Sequence, residues 1–197
     1  MVKRLFDIIF SLFGLILTSS LFLLFAFLIK RESPGPAFYR GIRVGKNGKK
    51  FRIFKFRTMV VDAENLGGPS TAGDDPRLLK IGRILRRYQL DELPQFINIF
   101  KGEMSFVGPR PEVCSEVERY KKEDRELILS VKPGLTDLAT LENVHEEEIL
   151  RGAADPHEAY RKLIQPQKIK LAKEYVKKRS LWLDIKIILE TLKSAIF

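Results

Sequence analysis

The chain has 197 residues, with 35 Lys or Arg against 25 Asp or Glu and a formal net charge of +10. That length supports one domain plus a membrane element, and the charge calls for an anionic partner: nucleic acid, anionic lipid or a phosphorylated substrate. Cys114 is the only cysteine, which excludes an internal disulfide and a cysteine-ligated metal; His145 and His157 have no ligand-like spacing, so no zinc site is expected.

Residues Ile8 to Ile29 form a run of 22 uncharged, mostly apolar residues. As a helix it would measure about 33 Å, enough to cross the hydrocarbon core. It is longer than a signal-peptide core and lacks a small-residue cleavage site, so no removal is expected. Lys3 and Arg4 precede the run, and Lys30 and Arg31 follow it. Ten Lys or Arg and one acid, Glu32, lie between Lys30 and Arg57. The positive-inside rule places both flanks on the cytoplasmic side. An ordinary bitopic anchor would leave one basic flank outside, whereas a re-entrant helix satisfies both, given a break near its middle. Thr18-Ser19-Ser20 sits there, and hydroxyls that bond back to the preceding turn bend a helix. The polybasic stretch suits anionic headgroups. No nucleic-acid motif accompanies it, and a nucleic-acid partner is not expected.

Phe38 to Val44 and Lys50 to Thr58 are expected as two strands of a hairpin turned by Lys46-Asn47-Gly48. Lys55 and Arg57 either line a solvated sheet face or point into an anion site. Residues 62 to 75 read as a glycine-rich loop. Asp75-Pro76 reads as an N-cap and first helical residue, with Leu78, Ile81, Leu85 and Tyr88 on one face. Arg83, Arg86 and Arg87 end that helix, where the dipole favours cations. The alternative is that Arg86 or Arg87 clamps phosphate.

A second helix is expected to start near Asp91, with Pro94 in its first turn. Leu93, Phe96, Ile97 and Phe100 form its apolar face, and Gly102 stops it. Asp91 and Glu92 are neighbours about 100° apart on a helix, so they cannot face each other and take different roles. Either they are an N-cap and a solvated acid, or they act on substrate. In Gly108-Pro109-Arg110-Pro111 two prolines stiffen the backbone around Arg110, so binding an anion costs that side chain little freedom. Residues 112 to 130 read as helix, ended by Lys132-Pro133-Gly134. Glu142 to Glu148 form an acidic patch. A helix near 157–178 follows, then Ser180 as N-cap of a last helix with Leu181, Ile185, Ile188, Leu192 and Ile196 on one face. That helix either packs on the core or lies in the membrane interface beside Trp182. Neither a dinucleotide fingerprint nor a P-loop is present.

These motifs together resemble the small monotopic phosphoglycosyl transferases of the bacterial sugar transferase family. The resemblance rests on the N-terminal apolar helix, Lys55-Phe56-Arg57-Thr58-Met59, Arg86, Leu90 to Gln95, Lys101 to Pro111 and Lys132-Pro133-Gly134-Leu135-Thr136. They follow the family's order over residues 1 to 140, and Leu181 to Ile196 fits its last helix. The resemblance implies transfer of a sugar 1-phosphate from a UDP-sugar to a polyprenyl phosphate such as undecaprenyl phosphate, with release of UMP. It implies Mg²⁺ held by Asp91 and Glu92, and a covalent aspartyl phosphosugar formed on Asp91. Glu92 then holds the metal or orients Asp91. Arg86 and Arg110 bind the phosphates, Pro109 lies with them in the substrate site, and Lys55, Arg57 and Arg87 are outer candidates. It further implies anionic lipid and downstream glycosyltransferases as partners, and the cytoplasmic face of the bacterial inner membrane.

The chain departs from the family twice. Ser19-Ser20 stands where the family breaks its membrane helix with Ser-Pro, and Asp137-Leu138-Ala139 replaces the usual Gly-Leu-Ala. The expected fold is α+β: a re-entrant membrane helix over 1–31, then a mostly helical cytoplasmic catalytic domain over 32–197 with a small β-hairpin and amphipathic interfacial helices. Two other readings compete: a non-catalytic basic module on anionic lipid, and a nucleic-acid binder at the membrane. Both leave residues 90–111 unexplained.

Overall fold

The computed structural model describes residues 2–66, 75–141 and 149–196. Most of the expected glycine-rich loop and all of the acidic patch from Glu142 to Glu148 lie outside the described residues.

The apolar run forms two helices, α1 (Val2–Leu17) and α2 (Ser19–Glu32), bent by 58° where they meet. The break falls at Thr18, one residue before Ser19-Ser20. The Thr18 hydroxyl donates to the Gly14 carbonyl at 2.7 Å, and that of Ser19 to the Ile16 carbonyl at 2.8 Å; such back-bonds bend helices. No single helix among the described residues is long and apolar enough to cross a bilayer, and only the bent pair together passes by length and composition.

Both ends of this pair dock on one body. Lys3 Nζ donates to the Val107 carbonyl and to Tyr175 Oη, each at 3.0 Å, and pairs with Asp184. Arg4 donates to the carbonyls of Ile99 and Phe100 at 2.6 and 2.7 Å. Asp7 accepts from Ser105 Oγ and from the Phe106 amide. At the far end Ile29 is fully buried with Phe56, Leu79 and Leu85. Glu32 there accepts from the amides of Lys80 and Ile81.

The expected hairpin is two short antiparallel pairs. Strands β2 (Ile42–Val44) and β3 (Lys50–Arg52) pair next to the turn, where Asn47 and Gly48 have φ of 56° and 75°. Strands β1 (Phe38–Tyr39) and β4 (Lys55–Phe56) pair beyond it. The ladder is interrupted because the Asn98 side chain takes the Phe54 amide at 2.8 Å and donates to the Arg52 carbonyl at 2.9 Å. The Phe56 ring then packs among Phe22, Phe25 and Phe38, which fixes α2 on this sheet.

Helix α3 (Lys80–Arg87) begins later than Asp75-Pro76 suggests. Asp75 pairs with Arg77 instead, and a bridge between Met59 and Leu78 holds the chain extended. The Glu32 carboxylate satisfies the free amides at the helix start. Tyr88, expected on the inner face, is exposed.

The helix expected from Asp91 is a 3-10 turn, Leu90–Glu92, followed by α4 (Gln95–Lys101). Pro94, which has no amide to donate, ends the turn and starts α4. Gly102 terminates α4 with φ 84°, as its spacing requires. The buried residues of α4 are Gln95, Asn98 and Ile99, while Phe100 is exposed. The face is rotated because Asn98 must reach the interrupted ladder.

Strand β5 (Ser105–Val107) pairs in parallel with β6 (Gly134–Thr136), an element the sequence does not announce. The backbones meet so closely that a Cβ on Gly134 would lie 2.1 Å from the Gly108 amide nitrogen. Between them the chain forms α5 (Cys114–Glu118) and α6 (Lys122–Ile128) rather than one helix. Buried Glu116 holds α5 to Arg161 at 2.6 Å and Gln165 at 2.8 Å. There follow α7 (Leu138–Leu141), α8 (Pro156–Ala159), a π-helical turn (Tyr160–Ile164), α9 (Gln165–Lys178) and α10 (Leu181–Ile196). Ser180 caps α10, its Oγ accepting from the Leu183 amide. Helix α10 buries Asp184 and Ile187, whereas Trp182 (79 % exposed), Leu189 and Leu192 face outward. It therefore packs on the core and also presents an apolar stripe.

Asn98 is fully buried and bonds to Arg52, Phe54 and Glu103. Asn98→Ala orphans the Phe54 amide and the Arg52 carbonyl, at about 1–3 kcal/mol for each buried group left unpaired. Denaturation should show a loss of at least about 2 kcal/mol, together with looser packing around Lys55.

Candidate active site

The 3-10 turn that carries Asp91 and Glu92 is entered through Gln89, whose φ of 54° is a left-handed conformation that non-glycine residues rarely adopt. That reversal folds the turn back against α3 and beside β4. Basic residues from three segments therefore converge on two adjacent acids.

Glu92 is held by two of them. Lys55 Nζ lies 2.6 Å from Oε1, and Arg110 Nη2 donates to the same oxygen. Arg110 Nη1 reaches Oε2 at 3.5 Å, a far weaker contact. Burial alone would raise the Glu92 pKa. The charges and hydrogen bonds of Arg110 and Lys55 outweigh it and hold the carboxyl far below the usual range.

Asp91 is the opposite case. It is 7 % exposed, and its carboxylate receives no hydrogen bond among the described residues. Burial, reinforced by the Glu92 charge, pushes its pKa up to about 6 against the pull of Lys55, Arg86 and Arg110. An acid that is buried, uncommitted and flanked by cations is a candidate functional carboxylate. The two neighbours thus have different environments, as their angular separation requires.

Not all of the expected basic residues join this site. Lys55, Arg86 and Arg110 act on it. Arg87 is exposed and stacks over the Tyr88 ring. Arg57 is buried against the carbonyls of Ser33 and Pro34, at 2.7 and 2.9 Å, and fastens the turn after α2. Pro109 is buried, and its carbonyl accepts from the Gly134 amide at 3.0 Å. Its part is to lock the corner that aims Arg110. Ser19 and Ser20 lie at the helix break, remote in sequence from the site.

Three supporting residues escape a sequence reading: Asp7, Lys3 and Asn98. The Lys3 charge looks like a membrane flank, yet it holds β5 just ahead of Gly108. Asp7 carries the one available signal, a lone acid at the edge of an apolar run. Among the described residues no cluster of three or more His, Cys, Asp or Glu could hold a metal. The donors present are the Asp91 carboxylate and Glu92 Oε2. That set fits a Mg²⁺ shared with substrate phosphates, the usual arrangement for this ion.

The two acids should have opposite effects on stability. The folded pKa of Asp91 lies above its unfolded value, so its ionisation weakens the fold as pH rises from about 4 to 6, by up to about 3 kcal/mol. Asp91→Asn should melt higher than the wild type at pH 7.5, and the gain should vanish below about pH 4. Glu92, with a depressed pKa, stabilises the fold above its unfolded value near 4.3 and loses that contribution in acid. Glu92→Gln should therefore melt lower at pH 7.5, because Lys55 and Arg110 lose their counter-charge. Paired melting curves at the two pH values check both signs.

The geometry can be set beside known proteins. The model of the bacterial sugar transferase family matches residues 1–197. The chain is 37 % identical over 193 residues to the UDP-glucose:undecaprenyl-phosphate glucose-1-phosphate transferase of Escherichia coli, covering 97 % of this chain and 39 % of that protein. It is 36 % identical over 201 residues to the UDP-N-acetylgalactosamine-undecaprenyl-phosphate N-acetylgalactosaminephosphotransferase of Aeromonas hydrophila, covering 98 % and 43 %. A UDP-glucose:undecaprenyl-phosphate glucose-1-phosphate transferase of Caulobacter vibrioides is 39 % identical over 198 residues, covering 98 % and 68 %. The chain thus spans about two fifths of the length of the first two relatives and two thirds of the third. A match over every residue, together with a buried aspartate among three cations, leads to one conclusion: the chain belongs to the bacterial sugar transferase family.

Proposed function

We propose that the chain transfers a sugar 1-phosphate from a UDP-sugar to a polyprenyl phosphate such as undecaprenyl phosphate, releasing UMP. The observation that carries this reading is the buried, uncommitted Asp91 beside a Glu92 locked by Lys55 and Arg110. The activities of the relatives support it. Glucose and N-acetylgalactosamine both occur among them, so the sugar stays open.

Phosphoryl transfer asks the protein chiefly for position and charge neutralisation, and a carboxylate can serve as covalent nucleophile. An Asp91 oxygen attacks the sugar-side phosphorus. The O–P bond forms as the bond to the bridging oxygen breaks, and UMP leaves with that oxygen. An oxygen of the lipid phosphate then attacks the same phosphorus and expels Asp91. Arg86 and Arg110 neutralise the diphosphate. Lys55 and Glu92 fix one another and Arg110, so the guanidinium is placed before substrate arrives. Asp91 and Glu92 would hold a Mg²⁺, which would supply further charge neutralisation there.

The same reading places the protein on the cytoplasmic face of the bacterial inner membrane, with α1 and α2 entering and leaving on one side. Docking of both ends on one body supports this, as do the basic flanks. Anionic lipid then meets the polybasic stretch. Glycosyltransferases that extend the lipid-linked sugar are the expected downstream partners.

Incubation with a UDP-sugar in the absence of lipid should add the mass of a phosphosugar to the Asp91 peptide. Asp91→Asn should lose that adduct and at least about 10³ in turnover. Full turnover by this variant sinks the covalent route, and a wild type that binds anionic vesicles without releasing UMP supports a non-catalytic membrane module instead. For topology, single cysteines at positions 2 and 46 in a Cys114→Ser background should both resist an impermeant maleimide in intact cells. Labelling of position 2 alone means a spanning helix.

A further inference from the structure

The backbone carbonyl of Val107 is a meeting point for the two ends of the chain. Lys3 Nζ, from the first turn of α1, donates to it at 3.0 Å. The same ammonium donates to Tyr175 Oη at 3.0 Å and pairs with Asp184, so its three protons are all used. Tyr175 Oη donates to Asp184 Oδ1 at 2.7 Å and also stands 3.0 Å from the Val107 carbonyl. Its single proton goes to the nearer, charged oxygen, which leaves the carbonyl to Lys3. Asp184 and Tyr175 are buried. A buried carboxylate needs a counter-charge, and Lys3 supplies it from the one place where it also grips β5.

Val107 stands three residues before Arg110, and the corner between them has little slack to absorb a shift. The Gly108 amide donates to the Thr136 carbonyl at 3.1 Å, and the Pro109 carbonyl accepts from the Gly134 amide at 3.0 Å. A Cβ on Gly108 would lie 2.4 Å from the Lys132 carbonyl oxygen, so the corner has no room to slide. Pro109 and Pro111 fix φ on either side of Arg110. The Arg110 side chain is 41 % exposed and is little confined by packing. Its backbone therefore decides where the guanidinium stands against Glu92. Arg86 is independent of this joint, because it rides on α3, whose start is set by Glu32.

We propose that Lys3, Tyr175 and Asp184 are positioning residues for the transfer reaction, holding the Val107 carbonyl so that Arg110 meets Glu92 and the donor diphosphate. This rests on the proposed transfer. Asp184 and Tyr175 orient the Lys3 ammonium, and the Lys3 bond to Val107 is the link that reaches the corner. A catalytic group held in place before substrate arrives saves the freedom it would otherwise lose on binding. The joint also gives the first turn of α1 a task beyond flanking the apolar run, since Arg110 is seated only when α1, α9 and α10 are assembled around β5.

The test uses the full chain in lipid nanodiscs and two measurements. Lys3→Met should lower kcat/KM for the UDP-sugar by about tenfold, and Tyr175→Phe, which removes one hydroxyl, by about threefold. In an Arg110→Ala background neither substitution should cost anything more, while in Arg86→Ala both should keep their full effect. General loosening of the fold would add in both backgrounds. NMR of labelled arginine reads the placement without turnover. The Arg110 Nε–H signal, assigned by its loss in Arg110→Lys, should move in Lys3→Met toward the position it takes in Glu92→Gln. If Lys3→Met does not fold, Tyr175→Phe carries both measurements. Equal losses in the two arginine backgrounds, or an unmoved Arg110 signal, overturn the positioning role. A wild type that releases no UMP sinks the transfer reading alone, and the Arg110 signal then decides the joint.

Discussion

The first two turns of α1 are fastened to the two segments that follow the acidic pair in the chain. Arg4 closes the C-terminal end of α4, whose start follows Asp91 and Glu92. Asp7 and Lys3 hold β5, whose end becomes the Gly108-Pro109 corner and hence Arg110. Tyr175 and Asp184 complete this joint from α9 and α10. The apolar helix pair is thereby part of the domain rather than a separate appendage. Its far end is equally committed, through Ile29 in the core and Glu32 on the start of α3. The distance between α4 and β5, and so between Asp91 and Arg110, is set partly by helix α1.

That constraint explains how two adjacent acids diverge. A carboxylate cannot be both tightly paired and ready to attack. Glu92 takes the counter-charges, from Lys55 across the sheet and Arg110 across the corner, and becomes a fixed anion. Asp91 is left buried beside a neighbour whose charge opposes its own ionisation. The cost appears as a raised pKa and lost stability, an expense typical of sites where function and stability conflict. The left-handed Gln89 adds to it, since it is needed only to turn the acids back toward α3. Arg57 and Arg87 show that a basic residue near the motif is not automatically part of the site. One fastens a buried turn and the other stacks on a tyrosine.

Much of this was legible in the residues, and the misses share a cause. The bend in the apolar run, the Asn47-Gly48 turn, the Gly102 stop and the Ser180 cap were readable because each depends on local chemistry. The start of α3, the buried face of α4 and the split of the 112–130 helix were not. Each is decided by a partner distant in sequence: Glu32 for α3, Arg52 and Phe54 for α4, Arg161 and Gln165 for α5. The parallel pairing of β5 with β6 is the extreme case, three residues on each strand with no periodicity to read. That two adjacent acids lie among basic residues was legible from the motif. Their division of labour required knowing that Lys55 and Arg110 reach Glu92 and leave Asp91.

The break between α1 and α2 also bears on how a bend forms without proline. Proline bends a helix by removing a donor and crowding the preceding turn, which leaves carbonyls to be satisfied. At membrane depth an unpaired carbonyl costs several kcal/mol. Here the bend comes with its own donors, since the Thr18 and Ser19 hydroxyls turn back onto Gly14 and Ile16. The amide of Thr18 still bonds to Gly14, and that of Phe22 to Thr18. A hydroxyl break of this kind preserves the backbone ladder better than proline does and is correspondingly less rigid. In the proposed topology the angle is therefore held less by the break than by the two docked ends. Lys3, Arg4 and Asp7 on one side and Ile29 with Glu32 on the other hold the angle in place of a proline.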